Sequence, residues 1–209
     1  RACRDRSIQH LVREKQIEPA IELCLDCDDV QGAASLISEH AADMVQRYGR
    51  HSAYLYWVNQ LPPEALERFP EIRLKQAWSL NFLHRFDEAE AIRKELESRL
   101  TNLHKADPVS PEYLRQAIES QRCAAAGLQD YGGASITISK KWLAQWPDAD
   151  AYSKSVANIV LAFAERTQGN FEIGVEHAQI GQTLARECQG YYIASWAAMV
   201  LLANLIKQG

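Results

Sequence analysis

The sequence predicts an all-α chain built as a stack of antiparallel helix pairs, and three observations carry that prediction. First, apolar residues recur at helical spacing: Val30, Ala33, Ala34, Ile37, Ala41, Met44 and Val45; then Tyr152, Val156, Ile159, Val160 and Phe163; then Ile193, Trp196, Ala197, Val200 and Leu201. Second, proline and glycine gather between such stretches, as they do where helices are joined by short loops. Third, HRFDEAE (84–90), LQDYGGA (128–134) and QGNFEIG (168–174) share one punctuation. A polar turn leads to Phe86, Tyr131 or Phe171, and a small residue, Ala89, Ala134 or Gly174, follows three positions later. An interval of about 40 residues between such marks is that of a two-helix repeat. SITIS (135–139) alternates most nearly like a strand, but it lies in a helical context and no sheet is expected.

The pairs follow in order: 6–15 with 18–27, 29–48 with 51–60, 71–84 with 87–104, 110–129 with 132–146, 150–168 with 171–188, and 190–207 alone. Pro62, Pro63 and Pro70 break the chain between the second and third pairs, Pro108 and Pro111 open the fourth, and Pro147 closes it. Asp148 or Asp150 can cap the next helix. Gly174, Ala178, Gly181 and Ala185 form a narrow strip on one helix face, to which another helix can come close, with Phe163 and Val160 filling the space beside it. The expected whole is one domain over residues 1–209, a right-handed α-solenoid of about eleven helices. Its unpaired last helix would leave an apolar face that promotes self-association.

Composition narrows the function. The chain has 209 residues, 47% hydrophobic and 24% charged, with a formal charge of −4. Its Lys and Arg are scattered among Asp and Glu, which argues against direct nucleic-acid contact. The opening RACRDRSIQHLVREK lacks the apolar core of a signal peptide. The most apolar stretch, 191–207, carries Asn204 and Lys207 and reads as a buried repeat helix, so no membrane role is expected. Five scattered cysteines (Cys3, Cys24, Cys27, Cys123, Cys188) suit reduced thiols in a cytoplasm. A start at Arg1 and an end one helix past the last full pair fit a segment of a longer protein.

Motifs of catalysis are not found. Cys24 and Cys27 form a C-x-x-C that lies late in a helix with no second ligand pair; Cys3 and His10 are poor complements. None of the six histidines makes H-x-x-x-H, and no phosphate-binding glycine loop or nucleophile elbow occurs. Glu88 with Glu90, and Glu95 with Glu97, point to different sides of a helix. The expectation is a non-enzyme with no metal and no cofactor in this segment. The aromatics are the candidates for binding. Trp78 and Phe82, with Leu74 one turn earlier, lie on a first helix, and first helices line the concave side of such arrays. They are read either as the floor of a ligand groove or as core filling; Tyr54 and Trp57 allow the same two readings. Trp142 and Trp146 sit on a second helix and read as core or convex surface.

Residues 61–91 run LPPEALERFPEIRLKQAWSLNFLHRFDEAEA, with the order L-P-x-E, R-x-P, A-W-x-L, a turn, and D-E-A-E. This resembles the tetratricopeptide-like superhelical region of the large ATP-dependent LuxR-type transcription regulators, the MalT class. The stretch 17–45, an alanine-rich helix, a short acidic turn and the next helix, resembles the entry into that region. One departure is the turn at His84-Arg85, which lacks the glycine often found there. The resemblance implies an NTPase upstream, a helix-turn-helix downstream, and ATP as cofactor of the full-length regulator. It implies that this segment senses a small-molecule inducer or docks a protein partner, and that the full-length protein self-associates. The alternative is a docking scaffold with the same repeats and no small-molecule ligand.

Overall fold

The computed structural model describes residues 2–100, 110–130 and 132–208. Expectations resting on Tyr131, on His104, on Pro108 and on the Cys3 side chain lie outside the described residues. Twelve α-helices follow one another among the described residues: α1 (Ala2–Arg13), α2 (Ile17–Asp26), α3 (Val30–Ala41), α4 (His51–Val58), α5 (Pro63–Arg68), α6 (Pro70–Phe82), α7 (Phe86–Arg99), α8 (Pro111–Leu128), α9 (Gly132–Gln145), α10 (Ala151–Thr167), α11 (Phe171–Glu187) and α12 (Tyr191–Gln208). No strand occurs among them, and α6, α8, α10 and α12 each pack on the next while α7, α9 and α11 lie beside them. The fold is an α-solenoid-like stack of helix pairs.

One turn geometry recurs between helices. Lys15, Asp28, His84, Asp130, Gly169 and Gln189 all have positive φ, between 54° and 82°. After five of them the chain closes with a long backbone bond: Gln16 to Leu11, Asp29 to Cys24, Arg85 to Leu80, Asn170 to Glu165 and Gly190 to Ala185, each N–H donating at 2.8–2.9 Å. This is the Schellman ending, in which a left-handed residue lets the last carbonyls find donors. His84 therefore serves where a glycine is commoner. The next helix starts two residues after the left-handed position, at Phe86 and Phe171, and at Gly132 after Asp130. That corrects the register of the third mark: Ser135, not Ala134, is the buried small residue corresponding to Ala89 and Gly174, and Ala134 is exposed.

Two further elements differ from expectation. The single helix over 29–48 becomes α3 followed by a π-helical segment, Ala42–Arg47, closed by Tyr48 N–H to Asp43 O at 3.1 Å and Arg50 N–H to Met44 O at 2.8 Å. Gly49 follows at φ +65°, and a Cβ there would stand 2.3 Å from the Tyr192 ring, so the chain crosses over that ring. The Pro62-Pro63 break contains the short helix α5, because a proline in the first turn gives up an N–H that has no helical partner anyway.

Gly174, Ala178, Gly181 and Ala185 are the four buried residues of α11. Gly181 lies against Ile159 and the Ser155 carbonyl, whose own hydroxyl donates to Gly181 O at 2.7 Å. Gly174 lies against Asn204 and the Ala162 carbonyl. Val160 instead abuts Gly127 of α8. On α12, Ile193, Ala197, Val200 and Asn204 face inward, while Met199, Leu202 (59% exposed) and Ile206 (68%) face solvent. A Cβ at position 174 would meet Asn204 Oδ1 at 2.2 Å and the Ala162 carbonyl at 3.1 Å. Gly174→Ala is therefore expected to destabilise the chain by roughly 1–3 kcal/mol, outweighing the gain in helix propensity, as read from a urea midpoint.

Candidate functional site

The inner helices meet in a cleft of about 210 Å³ lined by Leu74, Lys75 and Trp78 of α6, Tyr113, Ala117, Ser120 and Gln121 of α8, Asp150, Tyr152 and Ser153 at the start of α10, and Gln46 of the π-helical segment. Two of the five groove candidates, Leu74 and Trp78, line it. Phe82 lies one turn on, and Tyr54 and Trp57 are fully enclosed in the core behind it. Tyr54 is anchored there, its hydroxyl donating to the Ile72 carbonyl at 3.1 Å.

Trp78 is only 3% exposed, with one ring of its own helix and one of α10 against it. Its indole lies 5.3 Å from Phe82 and 5.5 Å from Tyr152, centroid to centroid. Phe82 stacks on His51 (4.8 Å, 3° between planes) and meets Tyr192 and Trp196 of α12 edge-on at 5.4 and 6.1 Å. Edge-on and offset contacts of this kind suit the ring quadrupole. The seam joins the last helix to the second and third pairs. Arg47 adds to it, lying 5.6 Å from the Tyr48 ring and 5.2 Å from the Tyr191 ring and donating to Gln189 Oε1.

A buried polar chain positions the cleft's far wall. Arg93, buried on α7, donates to Glu90 at 2.8 Å and to Asn81 Oδ1 at 3.2 Å. Asn81 Nδ2 donates to the Gln121 carbonyl, and Gln121 Nε2 donates to the Leu74 carbonyl at 2.7 Å. Gln121 Oε1 is left without a donor, and neither Trp78 Nε1 nor Tyr152 OH has a hydrogen bond of ordinary geometry. The indole still lies close enough to favour the Tyr152 phenolate, but burial outweighs it and raises that phenol far above its ordinary value. Tyr152 stays a neutral donor. Lys75 is half-buried at the mouth; burial lowers its ammonium to about 8, partly opposed by Asp150. Asp150 is engaged in capping α10, accepting from Ser153 N–H at 2.9 Å and Ser153 Oγ at 2.7 Å.

Sequence reasoning missed Lys75, Gln121 and Tyr152 as site residues. Lys75 had a signal, three positions before Trp78 and so on the same face; Gln121 and Tyr152 had none, since only packing brings α8 and α10 beside α6. The other candidates stay apart from the cleft. Cys24 is buried on α2 and Cys27 half-buried at its C-cap, with no disulfide. No group of three or more metal-capable side chains occurs among the described residues. Trp142 and Trp146 are tied down, donating to the Gln116 carbonyl at 3.2 Å and to Glu119 Oε2 at 2.7 Å.

The fold and the cleft define a helical-repeat segment with a small polar-aromatic site on its inner helices. Over that architecture the chain is similar to bacterial transcription regulators. It is 28% identical over 197 residues to the HTH-type transcriptional regulator MalT of Yersinia pestis (strain Pestoides F) and to that of Yersinia pseudotuberculosis (serotype O:1b), and 25% identical over 190 residues to that of Serratia proteamaculans. The matches cover 91% of this chain and 21% of each relative, so the chain spans about a fifth of their length. No protein-family model and no solved structure matches it. No helix among the described residues is long and apolar enough to cross a membrane.

The ring seam has a titratable member. His51 is 4% exposed, its Nδ1 is 3.3 Å from Ser79 Oγ, and burial lowers its pKa to about 4. Because the folded value lies below the unfolded one, about 6.5, the unfolded chain takes up the proton first. This contribution is complete above pH 6.5 and is lost as pH falls toward 4, by roughly 3 kcal/mol in all. Urea midpoints measured from pH 7 to pH 4 should fall accordingly, and His51→Phe should flatten that slope.

Proposed function

We propose that this chain is the effector-sensing and protein-interaction segment of a MalT-like transcription regulator, non-catalytic itself and working in the cytoplasm. The observation that supports the sensing role is the inner-face cleft, where Gln121, whose Oε1 has no donor, stands with Lys75 beside aromatic walls. Such an arrangement suits a ligand: the walls supply contact area and the polar groups supply orientation. The similarity to MalT regulators supports the regulatory context. ATP belongs, in this reading, to another part of the full-length regulator.

The cleft draws its walls from three successive inner helices and the π-helical segment. A ligand held there touches several repeats at once, so its affinity depends on how they are rotated against one another. It shifts the regulator only through that difference in affinity between two curvatures. The exposed apolar residues of α11 and α12, Ile180, Met199, Leu202 and Ile206, support the protein-interaction half of the proposal.

In a reporter strain expressing a whole regulator that carries this segment, Ala117→Leu should narrow the cleft and reduce effector-dependent promoter activation at least fivefold at equal protein level. Tyr113→Ala, at an exposed lining residue, should weaken the response without disturbing the core. A wild-type response from both variants would remove the cleft from sensing.

A further inference from the structure

The cleft's charges differ from those around it. Several cations of the surrounding helices are paired: Arg73 with Glu95, Arg85 with Glu88, Arg93 with Glu90, Arg122 with Glu90 and Glu97, and Lys140 with Glu165. Lys75 has no hydrogen bond or ion pair among the described residues, although its side chain is half-buried. A charge held out of water without a partner is costly, and the site gains most from a ligand that brings the missing anion. The groups facing Lys75 are Asp150 and Tyr152 on α10 and Tyr113 on α8, with Glu71 one turn back on its own helix. Asp150 is occupied by its cap, and Glu71 accepts from Ser38 Oγ at 2.6 Å. Both phenols are raised by burial and stay neutral donors. Gln121 is fixed by its bond to the Leu74 carbonyl and offers Oε1 as an acceptor.

Resting on the reading of this cleft as the effector site, we propose that it takes a small carboxylic acid, whose carboxylate pairs with the Lys75 ammonium and whose adjoining O–H or N–H is received by Gln121 Oε1. Tyr152, which also lines the cleft, offers its hydroxyl as a further donor. A volume of about 210 Å³ holds on the order of seven waters, which suits a hydroxy or amino acid of a few carbons. Binding is strongest below pH 8, where Lys75 is charged, and declines above it.

Calorimetry on the 209-residue chain tests this with lactate, malate and glutamate, beside glycerol and glucose as neutral controls. At least one acid should bind saturably to the wild type and to Lys75→Arg. Lys75→Gln should bind it at least tenfold more weakly with a melting temperature no lower than the wild type's, and wild-type affinity should fall as pH rises past 8. Failure of every acid to bind, or equal binding by Lys75→Gln, overturns the proposal. Glucose or glycerol bound in an acid's place, and lost in Gln121→Leu, overturns the ligand class while leaving the cleft as an effector site. The role of the cleft in sensing is decided separately by the Ala117→Leu reporter.

Discussion

Each helix pair here can shield only part of its own apolar surface, and the neighbouring pair must cover the rest. Trp78 shows the constraint most directly. Its own helix supplies Phe82, but the indole is closed only when Tyr152 arrives from α10 and when Tyr192 and Trp196 of α12 cover Phe82. Burying a large apolar side chain is worth roughly 1.5–3 kcal/mol, so the seam is a substantial part of a marginal total. The repeated turn makes that stacking possible. Six left-handed residues set the same exit from one helix and the same entry to the next, and five of them are not glycine. A non-glycine residue there costs about 1 kcal/mol, which the satisfied terminal carbonyls and the packing of the pairs offset.

Much of this fold is legible in the sequence, because its regularities are local. Apolar spacing gives the helices, and the Gly174–Ala185 strip gives a close helix approach through residues that the structure buries together. Register is less legible. Tyr131 stands where an aromatic is expected after the turn, yet α9 begins at Gly132, and only the buried Ser135 reveals the shift. The π-helical segment could not be read either. Its apolar pattern is that of an ordinary helix, and the reason for the extra residue in the turn lies about 140 residues away in sequence, where α12 packs against it. The positive φ of His84 is hidden too, since the missing glycine marks a departure in the turn without saying that a histidine takes up the left-handed conformation.

The site was half legible for a physical reason. Leu74, Trp78 and Phe82 share a helix face, and that face does turn inward, so a single-helix argument finds them. A site is made by what stands opposite, and here that is Gln121 and Tyr152 from helices whose approach is set by long-range packing. The same argument explains the placement of Tyr54 and Trp57. They are aromatic residues of α4, but α3 and α6 cover them, and an aromatic that is covered on all sides contributes to stability and to the shape of the cleft's wall. Lys75 shares the helix face of Trp78, but a single lysine among scattered charges gains its meaning only from the residues that packing brings opposite it.

The buried polar chain from Arg93 through Asn81 and Gln121 to the Leu74 carbonyl bears on how such a cleft can report to the rest of the molecule. An unmade hydrogen bond in a buried place costs about 1–3 kcal/mol, and a fold that tolerates it without function would be expected to replace the polar atom. Here the chain fixes Gln121 by its amide nitrogen and backbone while leaving its oxygen unmet at the meeting point of three helices. A ligand that meets that oxygen and the Lys75 ammonium would tie α6 to α8, and through Tyr152 to α10. The angle between repeats is the one degree of freedom a helical stack changes easily, since it alters contacts between pairs and leaves each pair intact. In the proposed function, a ligand bound across three inner helices would therefore act where leverage on curvature is greatest. The ring seam holds α12 against the second and third pairs and would resist such a change.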